Sequence, residues 1–391
     1  MKRSQLENIN IAHDGMIKTL LRWFGEHKRD LPWRYDYDPY HVWVSEIMLQ
    51  QTQMERGVAY FKAWLKKFPT VYDVAKATEQ DVLLAWEGLG YYSRARNLHK
   101  AAKIIVEEYS GCVPDTPEAL MTLPGIGEYT AGAISAIAFK KDVIAVDANV
   151  ERVFSRIFDV ALPPKSPVAA GFIRQSADAL LPEGYAREYA QSLMEFGALI
   201  CKKRPLCEAC PLKSWCASFT LGIVHERPVR GRPVPITALQ VVTGVLLHGG
   251  RVFIQKRLNT GGWAGLWEFP GGRIEPNEES ETALIREFHE ETGFMVKADA
   301  FLGTVSHSYT RYKISLHCYL CHLEVENTPT VADFPLPELS AATDYRWEEI
   351  ANLTQYPLPA PHRRLFELWG ESIQKACERG QKCSTNVHRA L

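Results

Sequence analysis

The sequence has no excess of charge of either sign and no long hydrophobic run. Its 391 residues include 45 basic and 46 acidic side chains, and a net charge of −1 excludes a uniformly basic surface, so any nucleic-acid site must be local. The segment from Met1 to Asp14 lacks the apolar core of a signal peptide, and no stretch approaches the roughly 18 apolar residues that a membrane span needs. These absences predict a cytoplasmic protein with no membrane partner.

Apolar residues are nevertheless abundant enough for more than one folded domain. They make up 46% of the chain, and at roughly 100–200 residues per domain the length predicts two or three domains. Helical patterns run through residues 13–220, and the helix that begins at Pro39 is predicted to reach Gln53. Three prolines and three arginines between Val224 and Ile236 are typical of an extended linker.

The pattern beyond the linker combines strands and helices. The predicted elements are strands at Leu239 to Leu247, Arg251 to Lys256 and near Thr310 to Leu323, and helices at Glu279 to Thr292 and Pro361 to Lys375. Cys318 and Cys321 are an odd number of positions apart in a strand, so we expect them to pack on opposite sheet faces. We therefore divide the chain into an all-α domain over residues 1–222, a linker over 223–236, an α+β domain over 237–375 and a flexible tail over 376–391.

Four of the nine cysteines lie close together in the sequence. Cys201, Cys207, Cys210 and Cys216 have the spacing C-x5-C-x2-C-x5-C. In a reducing compartment such clustering indicates metal binding rather than disulfide bonds. Four soft thiolates in one loop, residues 201–216, suit an iron–sulfur cluster or zinc.

A glycine-rich turn precedes a helix made of small residues. Gly125 and Gly127 stand one residue apart, directly after Leu-Pro and just before the run from Tyr129 to Ala133. Backbone N–H groups at such a turn, together with the positive end of the helix, bind phosphate, and the other interpretation is an ordinary helix–helix turn. Because Val146-Asp147-Ala148-Asn149 follows, the segment resembles the helix-hairpin-helix motif of DNA repair glycosylases.

Three more motifs extend the resemblance over about residues 14–216. They are Leu-Pro-Trp-Arg from Leu31, Trp-Val-Ser-Glu-Ile-Met-Leu-Gln-Gln-Thr-Gln from Trp43, and Gly-Leu-Gly-Tyr-Tyr-Ser-Arg-Ala-Arg-Asn-Leu from Gly88. Together they resemble the adenine DNA glycosylase (MutY) family. The resemblance implies an all-α helix-hairpin-helix domain with an iron–sulfur loop, followed by an α+β Nudix-like domain. It also implies a monomeric, nucleoid-associated base excision repair enzyme that binds double-stranded DNA containing adenine opposite 8-oxoguanine or guanine.

The resemblance implies catalytic roles for four residues. Glu46 would protonate the leaving adenine, and its apolar neighbours predict a raised pKa because burial disfavours the charged carboxylate. Asp147 would stabilise the sugar cation, although a helix N-cap is the other interpretation. Tyr129 and Asn149 would support the sugar intermediate. Since Tyr129 stands where strand-cutting relatives carry lysine, and tyrosine forms no Schiff base, we expect base removal without strand cleavage.

The same family positions imply contacts with DNA and a cofactor. An adenine inside a duplex must be rotated out of the stack before cleavage, and side chains fill the space that it leaves. The residues so implied are Gln50, Gln51, Tyr91, Tyr92, Arg94, Gly125, Gly127 and, in the adenine pocket, Gln191. The four-cysteine loop is implied to hold a structural [4Fe–4S] cluster, with zinc as the alternative, although its first gap is one residue shorter than the C-x6-C of the family.

The α+β domain contains a long acidic motif. From Gly272 to Phe294 it fits the Nudix box G-x5-E-x7-R-E-U-x-E-E-x-G-U, with Phe288 at an aliphatic position. Glu287, Glu290 and Glu291 share one helix face, an arrangement that suits Mg²⁺ beside a diphosphate. The corresponding MutT-like domain of MutY relatives recognises 8-oxoguanine, which is our first hypothesis. Hydrolysis of nucleoside triphosphates, such as oxidised dGTP, is the alternative.

A three-residue segment is the best candidate for recognition of the lesion. Family members use a Phe-Ser-His loop, and Tyr309-Thr310-Arg311 preserves its order of aromatic ring, hydroxyl and hydrogen-bond donor. The alternative registration uses Ser306-His307. Arg257 and Phe269 match base-contacting positions of MutT, whereas the MutT asparagine is replaced within Pro359-Ala360-Pro361. We therefore expect Thr310 to take the role of the serine hydroxyl.

Overall fold

The structure is a computed structural model that describes residues 3–231, 235–309, 311–324 and 334–387, with side chains described from residue 13 to residue 379 within those ranges. The described helices are α1 (Arg3–His27), α2 (Pro39–Leu49), α3 (Met54–Lys67), α4 (Val71–Lys76), α5 (Glu79–Ala85), α6 (Ser93–Glu108), α7 (Pro117–Met121), α8 (Glu128–Phe139), α9 (Ala148–Ile157), α10 (Pro167–Ala179), α11 (Ala186–Leu199), α12 (Ala217–Thr220), α13 (Ser280–Thr292) and α14 (Ala360–Val387). The described strands are β1 (Thr237–His248), β2 (Arg251–Arg257), β3 (Trp267–Glu268), β4 (Val296–Tyr309), β5 (Tyr312–Leu323) and β6 (Ala342–Glu348). Over these ranges, no helix has the length and apolar character required to cross a membrane.

The chain forms two compact units whose limits differ in part from the predicted domains. The first unit comprises Met1–Ala77 and Asn97–Pro233, and the second comprises Thr78–Arg96 and Val234–Leu391. The change of unit at Pro233 falls inside the predicted linker. The segment Thr78–Arg96 belongs to the second unit, although the sequence predicted it within the all-α domain.

The first unit is a bundle of helices around an apolar core, as the sequence predicted. Side-chain caps start several helices; Asp38 accepts N–H groups from Tyr40 and His41 at the start of α2. Helix α11 packs against α1, α8 and α9, and α2 packs against α8. Their inward faces supply fully buried apolar side chains, which include Leu20, Phe154, Tyr189 and Phe196. Helices α2, α8, α9 and α11 are therefore packed together within the unit.

The second unit is a mixed sheet with a helix on each face. The strand order is β3-β2-β1-β5-β4, with β6 also paired to β2; β1 and β5 are parallel, and the other pairs are antiparallel. Leu284 of α13 is buried in the cluster on one face, and Leu365 of α14 is buried in the cluster on the other. Cys318 belongs to the α14 cluster and Cys321 to the α13 cluster, which confirms their predicted packing on opposite faces.

Hydrogen bonds explain why the segment Thr78–Arg96 belongs to the second unit. The Glu87 carboxylate accepts N–H groups from Arg363 Nε at 2.9 Å and Nη2 at 3.1 Å, and from the backbone N of Leu358 at 3.0 Å. The Tyr92 hydroxyl donates to the Leu358 carbonyl at 3.3 Å. The two side chains of the Glu87–Arg363 pair are each only 17% exposed, so the pair is well shielded from solvent.

Two predicted helix limits are corrected by the structure. Helix α2 ends at Leu49, short of the predicted end, because the backbone leaves the helical region at Gln50, with ψ of 113°, and Gln51 is left-handed, with φ of 57°. Helix α14 continues to Val387, through residues for which the sequence predicted a flexible tail. Ile373 and Cys377, one helical turn apart, are both buried in the core, so the apolar face of α14 continues past the predicted end.

Candidate active site

The helices of the first unit enclose a cavity of about 500 Å³. All four predicted catalytic residues line it, namely Glu46, Tyr129, Asp147 and Asn149. The predicted residues Gln50, Gln51 and Gln191 line the same cavity. The structure therefore brings together, around one space, residues that are widely separated in the sequence.

Glu46 lies on the buried face of α2 and is only 9% exposed. Burial raises the pKa of its carboxyl to about 7, because the charged form loses its hydration. The Tyr129 hydroxyl donates to Glu46 Oε2 at 3.0 Å and lowers this pKa, as does the positive charge of Arg34, whereas the negative charge of Asp147 raises it. The carboxyl of Glu46 can therefore carry a proton near neutral pH.

Asp147 is both the N-cap of α9 and a lining residue of the cavity. Its Oδ1 accepts the backbone N–H of Val150 at 2.7 Å, and its Oδ2 accepts the side-chain amide of Asn149 at 2.6 Å. Burial raises the pKa of Asp147, and these two hydrogen bonds oppose that rise because they stabilise the anion. The catalytic and the N-cap interpretations of Asp147 are thus compatible, because the carboxylate that caps α9 also faces the cavity.

A short network links Asn149 to the backbone of the cysteine loop. Arg152 Nη2 donates to Asn149 Oδ1 at 2.8 Å and to the Gly197 carbonyl at 2.7 Å, while its Nε donates to the Cys201 carbonyl at 2.7 Å. Gly197 permits this approach of α11 to α9, because a Cβ atom there would lie 2.6 Å from the Cβ of Asn149. Asn149 is consequently held from two sides, by Asp147 and by Arg152.

Sequence reasoning missed three charged residues of the same cavity: Arg29, Arg34 and Glu195. Glu195 lies one helical turn after Gln191 on α11 and accepts hydrogen bonds from both arginines. Burial alone would raise the pKa of Glu195, but these bonds and the charge of Arg34 lower it below its usual value. The sequence signal that could have identified Glu195 is its position, one turn after the predicted pocket residue Gln191 on a helix of apolar character.

The residues of the glycine-rich turn lie beside the cavity rather than in its lining. Gly127 is the N-cap of α8, so the first N–H groups of that helix follow it directly, and Tyr129 stands in the first turn. Gly125 has a φ of 82°, and a Cβ atom there would lie 2.7 Å from the Cβ of Asn97. The predicted hairpin before α8 is therefore present, with Tyr129 directed into the cavity from its second helix.

Comparison with known proteins decides the family. The family described as "HhH-GPD superfamily base excision DNA repair protein" matches residues 44–171, and "NUDIX domain" matches residues 242–368. The chain is 32% identical to the adenine DNA glycosylase of Rattus norvegicus, over 95% of this chain and 82% of the relative. It is 34% identical to that of Homo sapiens, over 80% of this chain and 68% of the relative. The chain belongs to the adenine DNA glycosylase family.

This membership confirms that the protein is a DNA N-glycosylase of base excision repair, and it confirms the two-part fold. A solved structure of a thermostable thymine-DNA glycosylase is also similar, with a TM-score of 0.50 and 29% identity. The similarity covers 54% of this chain and 98% of that one. The fold of the first unit is therefore that of a DNA glycosylase.

Three residues that the adenine DNA glycosylase resemblance assigned to DNA contact lie in the second unit. Tyr91 has a left-handed backbone, with φ of 49°. Tyr92 is only 5% exposed and its hydroxyl donates to the Leu358 carbonyl; its DNA contact stays a prediction. Arg94 donates to the carbonyls of Leu89 and Gly90, and burial lowers its pKa to about 10. Arg94 thus holds the loop that carries Tyr91.

The four cysteines of the loop come together at a second cavity of the first unit, which they line with Arg156. Arg156 Nη1 donates to Cys201 Sγ at 3.2 Å and to the Lys202 carbonyl at 2.7 Å, so a buried guanidinium supports the short first gap. In the described part of the chain, no three His, Cys, Asp or Glu side chains are placed to hold one metal ion. Four free thiols on one cavity are nevertheless a donor set that fits a thiophilic metal group.

The three carboxylates of the Nudix box share α13 as predicted but have separate partners. Arg286 Nη1 donates to Glu287 Oε1 at 3.0 Å and to Glu290 Oε2 at 3.2 Å. Glu291 accepts from Gln255 Nε2 at 2.8 Å and from the backbone N of Gly271 at 3.2 Å, and burial raises its pKa to about 7. The structure therefore pairs two of these carboxylates with an arginine and buries the third.

The predicted lesion-recognition residues flank the connection between β4 and β5. Tyr309 and Tyr312 are Cα partners at the ends of the two strands, and Thr310 lies outside the described residues. The exposed Arg311 stacks over the Tyr312 ring at 5.2 Å. The Tyr309 ring lies 5.6 Å from the ring of Tyr91, and both belong to the second unit. Tyr309 also lines a cavity of about 450 Å³ with Arg257.

Proposed function

We propose that the enzyme removes adenine paired with 8-oxoguanine or guanine from double-stranded DNA and leaves an abasic site without cutting the strand. The observation that carries this proposal is the convergence of Glu46 and Asp147 on one cavity of about 500 Å³. Two carboxyl groups in different environments can act as acid and as anion, which is the combination that cleavage of a glycosidic bond requires.

The two carboxyl groups divide the work of the reaction. With a pKa of about 7, Glu46 is about half protonated at neutral pH, so it can donate a proton to the base as the bond to the sugar breaks. Asp147 accepts hydrogen bonds from Asn149 and Val150, which stabilise its anion, and this anion would in turn stabilise the positive charge that develops on the sugar. Water then adds to the sugar cation and loses a proton, which the Glu46 carboxylate, deprotonated in the first step, can take up. Tyr129 offers a hydroxyl in place of an amine, so no Schiff base forms and the strand stays intact.

The test uses a labelled duplex that contains one adenine opposite 8-oxoguanine. We expect free adenine from the wild-type protein, strand breaks only after alkali, and no adenine from Glu46→Gln. Breaks before alkali would contradict the monofunctional mechanism, and no adenine release at all would contradict the proposed activity. A duplex with adenine opposite guanine gives the relative preference.

We also propose that Cys201, Cys207, Cys210 and Cys216 hold a structural [4Fe–4S] cluster. Their convergence on one cavity supports this, and thiolates are the ligands such clusters use. When bound, the cluster would supply a rigid cross-link of the loop rather than a reacting group. Analysis of the purified protein for iron, sulfide and zinc tests this: about four irons per chain supports the proposal, whereas one zinc without iron contradicts it.

For the second unit, we propose recognition of 8-oxoguanine by Tyr309, Thr310 and Arg311. The exposure of Arg311 and the proximity of the Tyr309 and Tyr91 rings support this placement. The test compares adenine excision opposite 8-oxoguanine and opposite guanine. We expect Thr310→Ala to reduce the preference for 8-oxoguanine, and an unchanged preference would exclude Thr310.

Hydrolysis of nucleoside triphosphates with Mg²⁺ is a second candidate function. It is favoured by the cavity of about 450 Å³, which Arg257, Gly272 and Glu291 line at the Nudix box. Release of phosphate or diphosphate from triphosphates, lost in Glu290→Gln, would establish it. No release from either protein would restrict the second unit to binding.

A further inference from the structure

The turn that carries Tyr91, residues 86–91, has a backbone conformation that needs support from contacts. Tyr91 has a φ of 49°, and a left-handed conformation is unfavourable for a residue with a Cβ atom. Within this Tyr91 turn, the backbone N of Leu89 donates to the Trp86 carbonyl at 3.0 Å, and Trp86 Nε1 donates to the Gly90 carbonyl at 3.1 Å. Because these bonds close the turn on itself, a displacement of one of its residues displaces the Tyr91 ring as well.

A shielded ion pair attaches the Tyr91 turn to the start of α14. The Glu87 carboxylate accepts from Arg363 Nε at 2.9 Å, from Arg363 Nη2 at 3.1 Å and from the backbone N of Leu358 at 3.0 Å. Arg363 Nη2 also donates to the Tyr356 carbonyl at 2.8 Å. Since the pair is bidentate and each side chain is only 17% exposed, it fixes the direction of the carboxylate as well as its distance. The pair therefore helps to set where the Tyr91 turn lies on the second unit.

The Tyr91 ring meets the candidate lesion-recognition segment. It lies 5.6 Å from the Tyr309 ring, and the Tyr309 ring lies 6.0 Å from the ring of Trp263. All three residues are half-buried and belong to the second unit, and we call them the aromatic surface. Aromatic rings at these separations attract one another in preferred geometries. The shape of the aromatic surface therefore depends on the position of the Tyr91 turn.

We propose that Glu87 and Arg363 are positioning residues for recognition of the lesion: their ion pair holds Tyr91 against Tyr309, so that the aromatic surface keeps one shape. The inference rests on the proposed function, in which the second unit recognises 8-oxoguanine. This base carries a carbonyl at C8 and an N–H at N7, whereas guanine has only a bare acceptor at N7. A displaced surface loses contacts to those two groups, so the loss of affinity falls on the duplex that contains 8-oxoguanine.

The experiment measures the Kd of the full-length protein for two duplexes, with adenine opposite 8-oxoguanine or opposite guanine. The parent protein carries Glu46→Gln, so that adenine stays attached and binding is separated from excision. Added to this parent, Glu87→Gln should lower the preference for 8-oxoguanine about tenfold, because an amide lacks the charge that holds Arg363. Arg363→Gln should lower the preference equally, and the combination of both should lower it no further, because both changes break the same pair.

Two further variants test the geometry of the pair and the specificity of the effect. Arg363→Lys keeps the charge but loses the planar donors, so it should retain only part of the preference. The next residue, Arg364, forms an exposed ion pair with Glu367 at 3.0 Å. Arg364→Gln is therefore the matched control, and it should leave the preference unchanged.

The outcomes separate this inference from the proposed function. If the protein with Glu46 releases no adenine, the proposed excision is contradicted, while the two Kd values still test the pair. A parent that binds both duplexes equally contradicts lesion recognition and this inference together. An unchanged preference in Glu87→Gln, an equal loss of affinity for both duplexes, or additive losses in the combined variant would overturn the inference alone. If Glu87→Gln does not fold, Arg363→Lys gives the decision, and a preference equal to that of the parent would overturn the inference.

Discussion

The pKa of Glu46 makes a quantitative prediction about adenine excision. With an unperturbed value of 4.5, only about 0.3% of these carboxyls would carry a proton at pH 7, whereas a pKa of about 7 gives about half. Burial thus increases the protonated fraction of the Glu46 carboxyl at pH 7 roughly 150-fold. Above pH 7 the acid form is lost, so the excision rate should fall about tenfold for each further pH unit.

Single-turnover rates on an adenine:8-oxoguanine duplex between pH 5.5 and 9 test this prediction. We expect a plateau below about pH 6.5 and a decline through pH 7, because a group of raised pKa is protonated below that pKa. On this plateau, the excision rate of Glu46→Gln should be about 10²–10⁴-fold lower than that of the wild type, because an amide supplies no acidic proton. A wild-type rate that rises through pH 7, or a loss of less than tenfold in the variant, would refute the reasoning.

Three further substitutions follow from contacts of the described residues. Tyr129→Phe removes a hydrogen bond that lowers the pKa of the acidic carboxyl, so the alkaline decline in rate should move to higher pH; a decline at unchanged pH would contradict this. Gly197→Ala should slow excision about tenfold or more by displacing Asn149, while Gly171→Ala, which meets no atom within 4 Å, should not; equal rates in single-turnover assays would count against the contact. Phe253→Ala, a truncation inside the sheet core, should cost about 3–5 kcal/mol in the free energy of unfolding by urea, and a cost below 1 kcal/mol would show that the site is not well packed.

Features that depend on local sequence were predicted well. Glu46 stands in a long motif with apolar neighbours, and its burial on α2 agrees with that pattern. The faces of Cys318 and Cys321 follow from the two-residue period of a strand, which holds because β5 is regular. The start of α2 follows from Asp38 and Pro39, a side-chain cap followed by a first-turn proline.

Features that depend on contacts distant in sequence were not predicted. Arg29 and Glu195 are 166 positions apart, and no local pattern indicates that they form a pair. Strand β4 was missed because register shifts at Ala298/Ala300 and Phe301/Gly303 break its alternation of apolar and polar residues. The hydrogen bond from the Tyr92 hydroxyl to the Leu358 carbonyl joins residues 266 positions apart, so the motif around Tyr92 alone could not indicate it.

The anchoring of Thr78–Arg96 limits how this enzyme can be divided. A fragment that stops before Val234 would keep that stretch of chain but lose Arg363 and the Leu358 backbone, leaving the Glu87 carboxylate to water. Proteolysis between the two halves would therefore leave an amino-terminal piece with an unsupported loop around Tyr91. The two fragments should regain the native loop only when they reassociate. The second unit is therefore built from two separate segments of the chain and is not a module joined to the end of the first.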